Sequence, residues 1–149
     1  MAHTFTSLLN HFVFSTKDRK PLVTKELKPA LFSYMGGIMT QLTVKPMLIN
    51  GPEDHVHILA SLPPTISVSE FMNKLKTNSS GWVNKRGQIT RFSWQTGYSG
   101  FSVSESSRNL VYQYIANQEK HHMKMSFQQE LIGLLKKHRI EYDERYIWE

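Results

Sequence analysis

The chain has 149 residues, with 18 Lys and Arg against 12 Asp and Glu (net charge +6), 40% apolar residues and no cysteine. That length and apolar content predict one folded domain rather than a disordered chain, and the lack of cysteine excludes disulfide scaffolds, thiol catalysis and Cys-ligated zinc or iron–sulfur sites. No apolar run approaches the roughly 18 residues of a membrane span, and Met1 to Phe14 lacks a signal peptide's basic start, so a cytoplasmic protein with no membrane partner is expected.

The pattern opens with a strand over Leu8 to Ser15, ending at a basic turn from Lys17 to Pro21. Thr24 is placed to cap a helix reaching Gln41, in which Leu27, Leu31, Tyr34, Met35 and Ile38 recur at helical spacing. Pro29 inside that pattern delays or bends the helix, and Gly36-Gly37 weakens its second half. Two apolar runs, Thr43 to Asn50 and His55 to Leu62, joined by Gly51-Pro52-Glu53-Asp54, read as a β-hairpin. After Pro63-Pro64, Ser67 with Glu70 has capping-box spacing and opens a helix to about Asn84. A loop with Gly87, Gly97 and Gly100 leads to a short strand at Phe101 to Val103. Ser104, with Ser107 at N3, is the candidate cap of a helix from Glu105 to Lys124, and a further helix spans Phe127 to His138. The order β-α-β-β-α-β followed by α-α predicts an α+β fold. It is ferredoxin-like or RRM-like: a four-stranded antiparallel sheet with two helices on one face and the other face free for a site or partner.

From Phe71 to Ser104 there is no Asp or Glu, while Lys74, Lys76, Lys85, Arg86 and Arg91 contribute +5. Interleaved with Trp82, Phe92 and Trp94, this stretch suits a nucleic-acid surface. A solvated helix face backed by core aromatics gives the same pattern. Trp94, in a Gly-rich loop, reads first as an anchor in the core.

Two short motifs carry chemistry. On a strand, His55 and His57 point to one face while Val56 points to the other. Two imidazoles so placed can reach one divalent ion, although unrelated solvent-facing histidines would look alike. Tyr114 and Gln118 are four apart and share a helix face, with Val111, Ile115 and Met123 turned to the core. A surface Tyr and Gln on an amphipathic helix fit that spacing too. Taken together, the motifs describe phosphoryl chemistry. A divalent ion polarises a phosphodiester, and a tyrosine attacks phosphorus to hold a covalent phosphotyrosine whose bond energy is conserved for rejoining without ATP. Nitrogen and amide-oxygen ligands, with positions left for phosphate oxygens, suit Mg²⁺ or Mn²⁺. Asp54 precedes the first histidine and is either its orienting partner or a turn residue.

These residues, within GPEDHVHILASLPPT (51–65), WQTGYSGFSVS (94–104) and YIANQEKHH (114–122), resemble the small single-tyrosine HUH transposases of bacterial insertion sequences. HFVFSTKDRKPL (11–22) and HRIEYDERYIW (138–148) extend the likeness along nearly the whole chain. The resemblance implies one HUH transposase domain over 1–149, with a core of about 8–124 and a C-terminal helix and tail. It implies a homodimer, bacterial or archaeal and nucleoid-associated when active. Such a protein cuts and rejoins single-stranded DNA at element ends marked by subterminal hairpins, using a divalent metal and a tyrosine linked to a 5′ phosphate. Carried over by position, Tyr114 is the nucleophile, His55 and His57 are metal ligands, and Gln118 matches a further ligand. Arg19, Lys20, Lys74, Lys76, Lys85 and Arg86 are the candidate DNA contacts. The segment Gly51 to Asp54 departs from the Met-Pro pair that many members carry before the histidines. His122 falls four after Gln118, a spacing that would bring it near the metal, but His121 and His122 are read first as DNA contacts or surface residues, outside the ligand set. The competing readings are an RRM-like binding module, another HUH nuclease, and a domesticated, non-catalytic descendant that binds single strands.

Overall fold

The computed structural model describes residues 3–88, 91–122 and 124–148; Met123 lies outside them. Strands β1 (Leu9–Ser15), β2 (Lys45–Asn50), β3 (His55–Ser61) and β4 (Ser99–Ser102) form an antiparallel sheet in the order β2-β3-β1-β4. Helices α1 (Lys28–Gln41) and α2 (Val68–Arg86) pack on one face. There Phe12, Phe14, Val56, Ile58 and Ala60 meet Leu31, Met35, Met39, Phe71, Met72 and Leu75 in the main core. The alternation of a strand turns the neighbouring residues His11, Val13, His55, His57 and Leu59 to the opposite face.

The element boundaries follow local chemistry. Helix α1 starts at Lys28, later than the Thr24 cap predicts, with Pro29 in its first turn. A missing N–H costs nothing there. Thr24 Oγ1 instead accepts the Leu27 amide at 3.2 Å, closing a turn ahead of the helix. The helix continues through Gly36-Gly37 because burial of Leu31, Met35, Ile38 and Met39 outweighs the two poor helix formers. In α2, Ser67 Oγ accepts the Glu70 amide at 3.1 Å, and Gly87 at φ +67° ends the helix in the left-handed conformation. Trp94 is the core anchor its sequence setting suggests: its indole donates to Ser79 Oγ at 2.9 Å and its ring meets Phe14.

Two departures shape the site. The predicted helix from Glu105 to Lys124 is a 3₁₀ turn (Glu105–Ser107), α3 (Arg108–Ala116) and a short α4 (Gln118–His121). Ser104 Oγ bonds the hydroxyls of Ser106 and Ser107 rather than a backbone amide, so the segment opens as a tight turn. At the other end Asn50 Nδ2, at the tip of β2, donates to the carbonyls of Ile115 (2.9 Å) and Ala116 (3.3 Å). Those carbonyls sit at a helix terminus and need a partner, so the bonds fix the break at Asn117.

The second departure is that the sheet face expected to be free is roofed. Leu9 and Leu59 pack with Ile115 of α3, while Val13 and Phe101 pack with Phe127, Leu131 and Leu135 of α5 (Phe127–Lys137). Helix α5 carries a reciprocal capping box between Ser126 and Gln129. A sheet covered on both faces does not offer the open aromatic platform of an RRM-like module.

Candidate active site

The site lies between the sheet and the roof. Gly51 sets its start, since a Cβ there would collide with the His55 carbonyl oxygen. Only glycine lets the β2–β3 loop close tightly enough to begin β3 at His55. His55 and His57 are fully buried on the roofed face. His55 Nδ1 lies 2.6 Å from Asp54 Oδ1, and His57 Nδ1 lies 2.8 Å from Nε2 of His11 on the neighbouring strand. Each ring is therefore oriented through Nδ1, leaving Nε2 turned inward.

The inward nitrogens converge on one carboxylate. Glu130 Oε1 is 3.2 Å from His55 Nε2, 3.0 Å from His57 Nε2 and 2.9 Å from His122 Nε2. Glu130 Oε2 accepts the hydroxyl of Tyr114 and the side-chain amide of Gln118, the latter at 3.0 Å. His121 approaches Oε2 at 3.4 Å without hydrogen-bond geometry. Tyr114 and Gln118 thus share a face as the spacing predicts, although the helix breaks between them.

The electrostatics follow from this packing. Burial keeps His57 neutral, lowering its pKa to about 4, and the same cause with His57 beside it lowers His11 to about 3. Burial works against the charged form of His55, yet hydrogen bonds to Asp54 and Glu130 raise its pKa above the ordinary imidazole value. Glu130 is also penalised by burial, but the His122, His55 and His57 rings hold it far below the usual carboxylate range. Burial and then the Glu130 carboxylate push the Tyr114 hydroxyl well above the ordinary phenol value.

Could these residues hold a divalent ion? One donor atom each from His55, His57, His122 and Glu130 lie within 4.8 Å of one another. Gln118 Oε1 is buried and has no hydrogen-bond partner among the described residues. A convergent set of donors with an unpaired amide oxygen beside it fits a cation. The Nδ1 bond of His55 to Asp54 is the carboxylate partner that metal-ligating histidines commonly have, whereas His57 is held through Nδ1 by the His11 ring. Asp54 is therefore an orienting residue as well as part of the turn.

Sequence reasoning misses two members, His11 and Glu130, and leaves a third, His122, outside the ligand set. His122 is not a surface residue: its side chain is 9% exposed and faces Glu130, because the break at Asn117 re-aims the chain. His11 is one histidine in an apolar strand with no spacing partner. Glu130 looks like a helix surface charge, yet it falls on the stripe Phe127, Leu131 and Leu135, and a carboxylate on an apolar stripe is the signal that could have found it.

The basic candidates divide. Arg19 and Lys20 lie beside the turn after β1, where the Thr16 amide bonds the Asp54 carbonyl, so they sit at the site's end of the sheet. Arg19 also lies over the Trp148 ring at 5.6 Å. Lys74, Lys76, Lys85 and Arg86 are on α2, across the sheet from the histidines. Lys74 pairs with Glu70, Lys76 Nζ donates to the carbonyls of Thr96 and Gly97, and Arg86 covers Trp82. On the site face, a cleft of about 550 Å³ runs along Tyr114, lined also by His11, Ser104, Ser107, Lys137 and His138.

The family described as "Transposase IS200 like" matches residues 4–118. Transposases for insertion sequence element IS200 from Salmonella typhimurium and Salmonella typhi are each 28% identical over 124 residues, covering 79% of this chain and 81% of theirs. Among solved structures, a candidate transposase from Deinococcus radiodurans R1 superposes with a TM-score of 0.66 at 24% identity, covering 79% of this chain and 95% of that one. A REP-associated tyrosine transposase bound to a REP hairpin superposes with a TM-score of 0.62 at 13% identity, covering 82% and 72%. Both solved structures share the fold.

Proposed function

The chain belongs to the IS200-like transposase family, and on that premise we propose that it cleaves and rejoins single-stranded DNA at the ends of a mobile element through a 5′-phosphotyrosine on Tyr114. The observation that carries this reading is the convergence of the Tyr114 hydroxyl, the Gln118 amide and the His55, His57 and His122 rings on one buried carboxylate. Burying a carboxylate is costly unless it is paired, and here every partner is a group suited to phosphoryl transfer.

His55 and His57 would hold the metal, with Gln118 Oε1 as a further ligand. A bound divalent ion would polarise the scissile phosphodiester and offset charge on its oxygens. The donor set is rich in imidazole nitrogen, which favours Mn²⁺ over the oxygen-seeking Mg²⁺. Tyr114 is the nucleophile, and the cleft of about 550 Å³ that it lines is where the single strand would lie. Lys137 on that cleft, with Arg19 and Lys20 at the site's end of the sheet, supplies cationic contacts for the strand's phosphates. The α2 lysines and arginine, on the other face, are suited to the stem of a subterminal hairpin rather than to the cut site. Residues 1–149 are read as one transposase domain, cytoplasmic and homodimeric. Among the described residues no helix is long and apolar enough to cross a membrane.

The test uses single-stranded oligonucleotides tiling the DNA around the gene, with Mn²⁺, Mg²⁺ or chelator. A metal-dependent covalent adduct mapping to Tyr114 is expected, lost in Tyr114→Phe while hairpin binding persists. Cleavage by Tyr114→Phe at the unsubstituted rate would overturn the mechanism. Tight hairpin binding with no adduct on any tile would move the chain to a non-catalytic role.

A further inference from the structure

Glu130 lies beyond the stretch the family match reaches, which ends at residue 118. Its residue is 3% exposed, and both carboxylate oxygens are engaged by groups of the site. Helix α5 delivers it by burying Phe127, Leu131 and Leu135 against Val13 and Phe101 of the sheet. Glu130 is thus the polar member of an apolar stripe, held there by the packing on either side. Nothing in that packing requires a charge. A leucine at the same position would continue the stripe without desolvating a carboxylate.

The two oxygens face different chemistry. Oε1 meets the Nε2 atoms of His55, His57 and His122, three potential donors crowded on an atom with two lone pairs. A cation in their midst would accept lone pairs from all of them at once. Oε2 faces the Tyr114 hydroxyl, with Gln118 Nε2 beside it at 3.0 Å.

Taking the tyrosine chemistry above as given, we infer that Glu130 is a catalytic residue with a divided carboxylate: Oε1 joins His55, His57 and His122 as a metal ligand, and Oε2 receives the Tyr114 proton during attack. The Oη–P bond forms as the P–O3′ bond breaks. The proton passes from Oη to Oε2 and then to the departing 3′ oxygen, leaving a 3′ hydroxyl and an ionised Glu130. Rejoining runs the same transfers in reverse, and no outside reactant is needed. Helix α5 is in this scheme a working part of the catalytic centre, added after the tyrosine helix.

The full chain is compared with Glu130→Gln and Glu130→Asp. Titration with Mn²⁺, read by electron paramagnetic resonance of the free ion, tests the ligand role without substrate. Glu130→Gln is expected to bind Mn²⁺ at least about tenfold more weakly, with Glu130→Asp between the two. Equal affinity in all three overturns that role. Adduct formation at saturating Mn²⁺ tests the proton role. Glu130→Gln is expected to be about 10²–10⁴-fold slower, with partial rescue in Glu130→Asp, which keeps the carboxylate. An unchanged rate in Glu130→Gln overturns it. If Glu130→Gln does not fold, Glu130→Asp carries both comparisons, and wild-type behaviour in it on both counts overturns the inference. Absence of any adduct in the unsubstituted protein would strike the proposed function and the proton role with it, while the Mn²⁺ comparison still decides the ligand role.

Discussion

At the scale of single residues, the outer partners of the histidines are as informative as the histidines. Asp54 and His11 each fix one imidazole through Nδ1 and so decide which nitrogen faces the centre. Asp54→Ala and His11→Ala are each expected to weaken Mn²⁺ binding by about 10–100-fold, read by the same titration, with hairpin affinity unmoved. A change below twofold in both would mean the rings are held by packing alone. Gly51→Ala is a backbone test: its methyl must displace the His55 carbonyl, and overpacking of this kind costs about 1–3 kcal/mol in a denaturant melt. Which site residues were legible follows from spacing. His55 with His57, and Tyr114 with Gln118, stand at intervals that one strand or one helix face turns into proximity. His11 reaches the site from β1, His122 from the residue that follows α4, and Glu130 from α5, and no local period connects the three to one another.

At the scale of elements, α5 repeats that lesson. Its capping box and apolar stripe make the helix legible from sequence, but its destination is not, because an apolar stripe names no partner. The same holds for the roofed sheet: the βαββαβ order gives the topology, whereas the cover on the second face depends on docking that only the tertiary structure reveals. Leu131→Ala, in the middle of that docking, is expected to cost about 2–5 kcal/mol and to weaken Mn²⁺ binding through Glu130. Equal Mn²⁺ affinity in a folded Leu131→Ala protein would separate the helix from the site. On the other face, Lys76 ties α2 to the carbonyls of Thr96 and Gly97, and burial lowers its pKa to about 8. A folded pKa below the unfolded value of about 10.4 means the unfolded chain binds the extra proton between those limits. Lys76 therefore makes stability rise with pH from about 8 to 10.4. Lys76→Met is expected to flatten that rise in denaturant melts across the window; an identical slope would show that the amine stays charged against its two carbonyls.

At the scale of the whole molecule, one chain supplies its own His57 and Tyr114, whose rings lie 5.9 Å apart. Mixing Tyr114→Phe with His57→Ala is therefore expected to restore no cleavage, even if light scattering gives twice the 17.3 kDa chain mass. Recovery in the mixture would place the tyrosine in a partner's site. The opposed basic surfaces give a second expectation: neutralising Lys74 or Lys85 should lower the salt slope of hairpin binding by about one each, and leave the cleavage rate of bound DNA unchanged. The late position of Glu130 also orders events in time. Of these three parts a ribosome emits β3 and its histidines first, the helix bearing Tyr114 next and α5 last, so a nascent or prematurely stopped chain carries Tyr114 without the carboxylate that accepts its hydroxyl in the fold. On the proposed function, cutting waits until α5 has been made, and a chain stopped before that helix is expected to leave the DNA beside it intact.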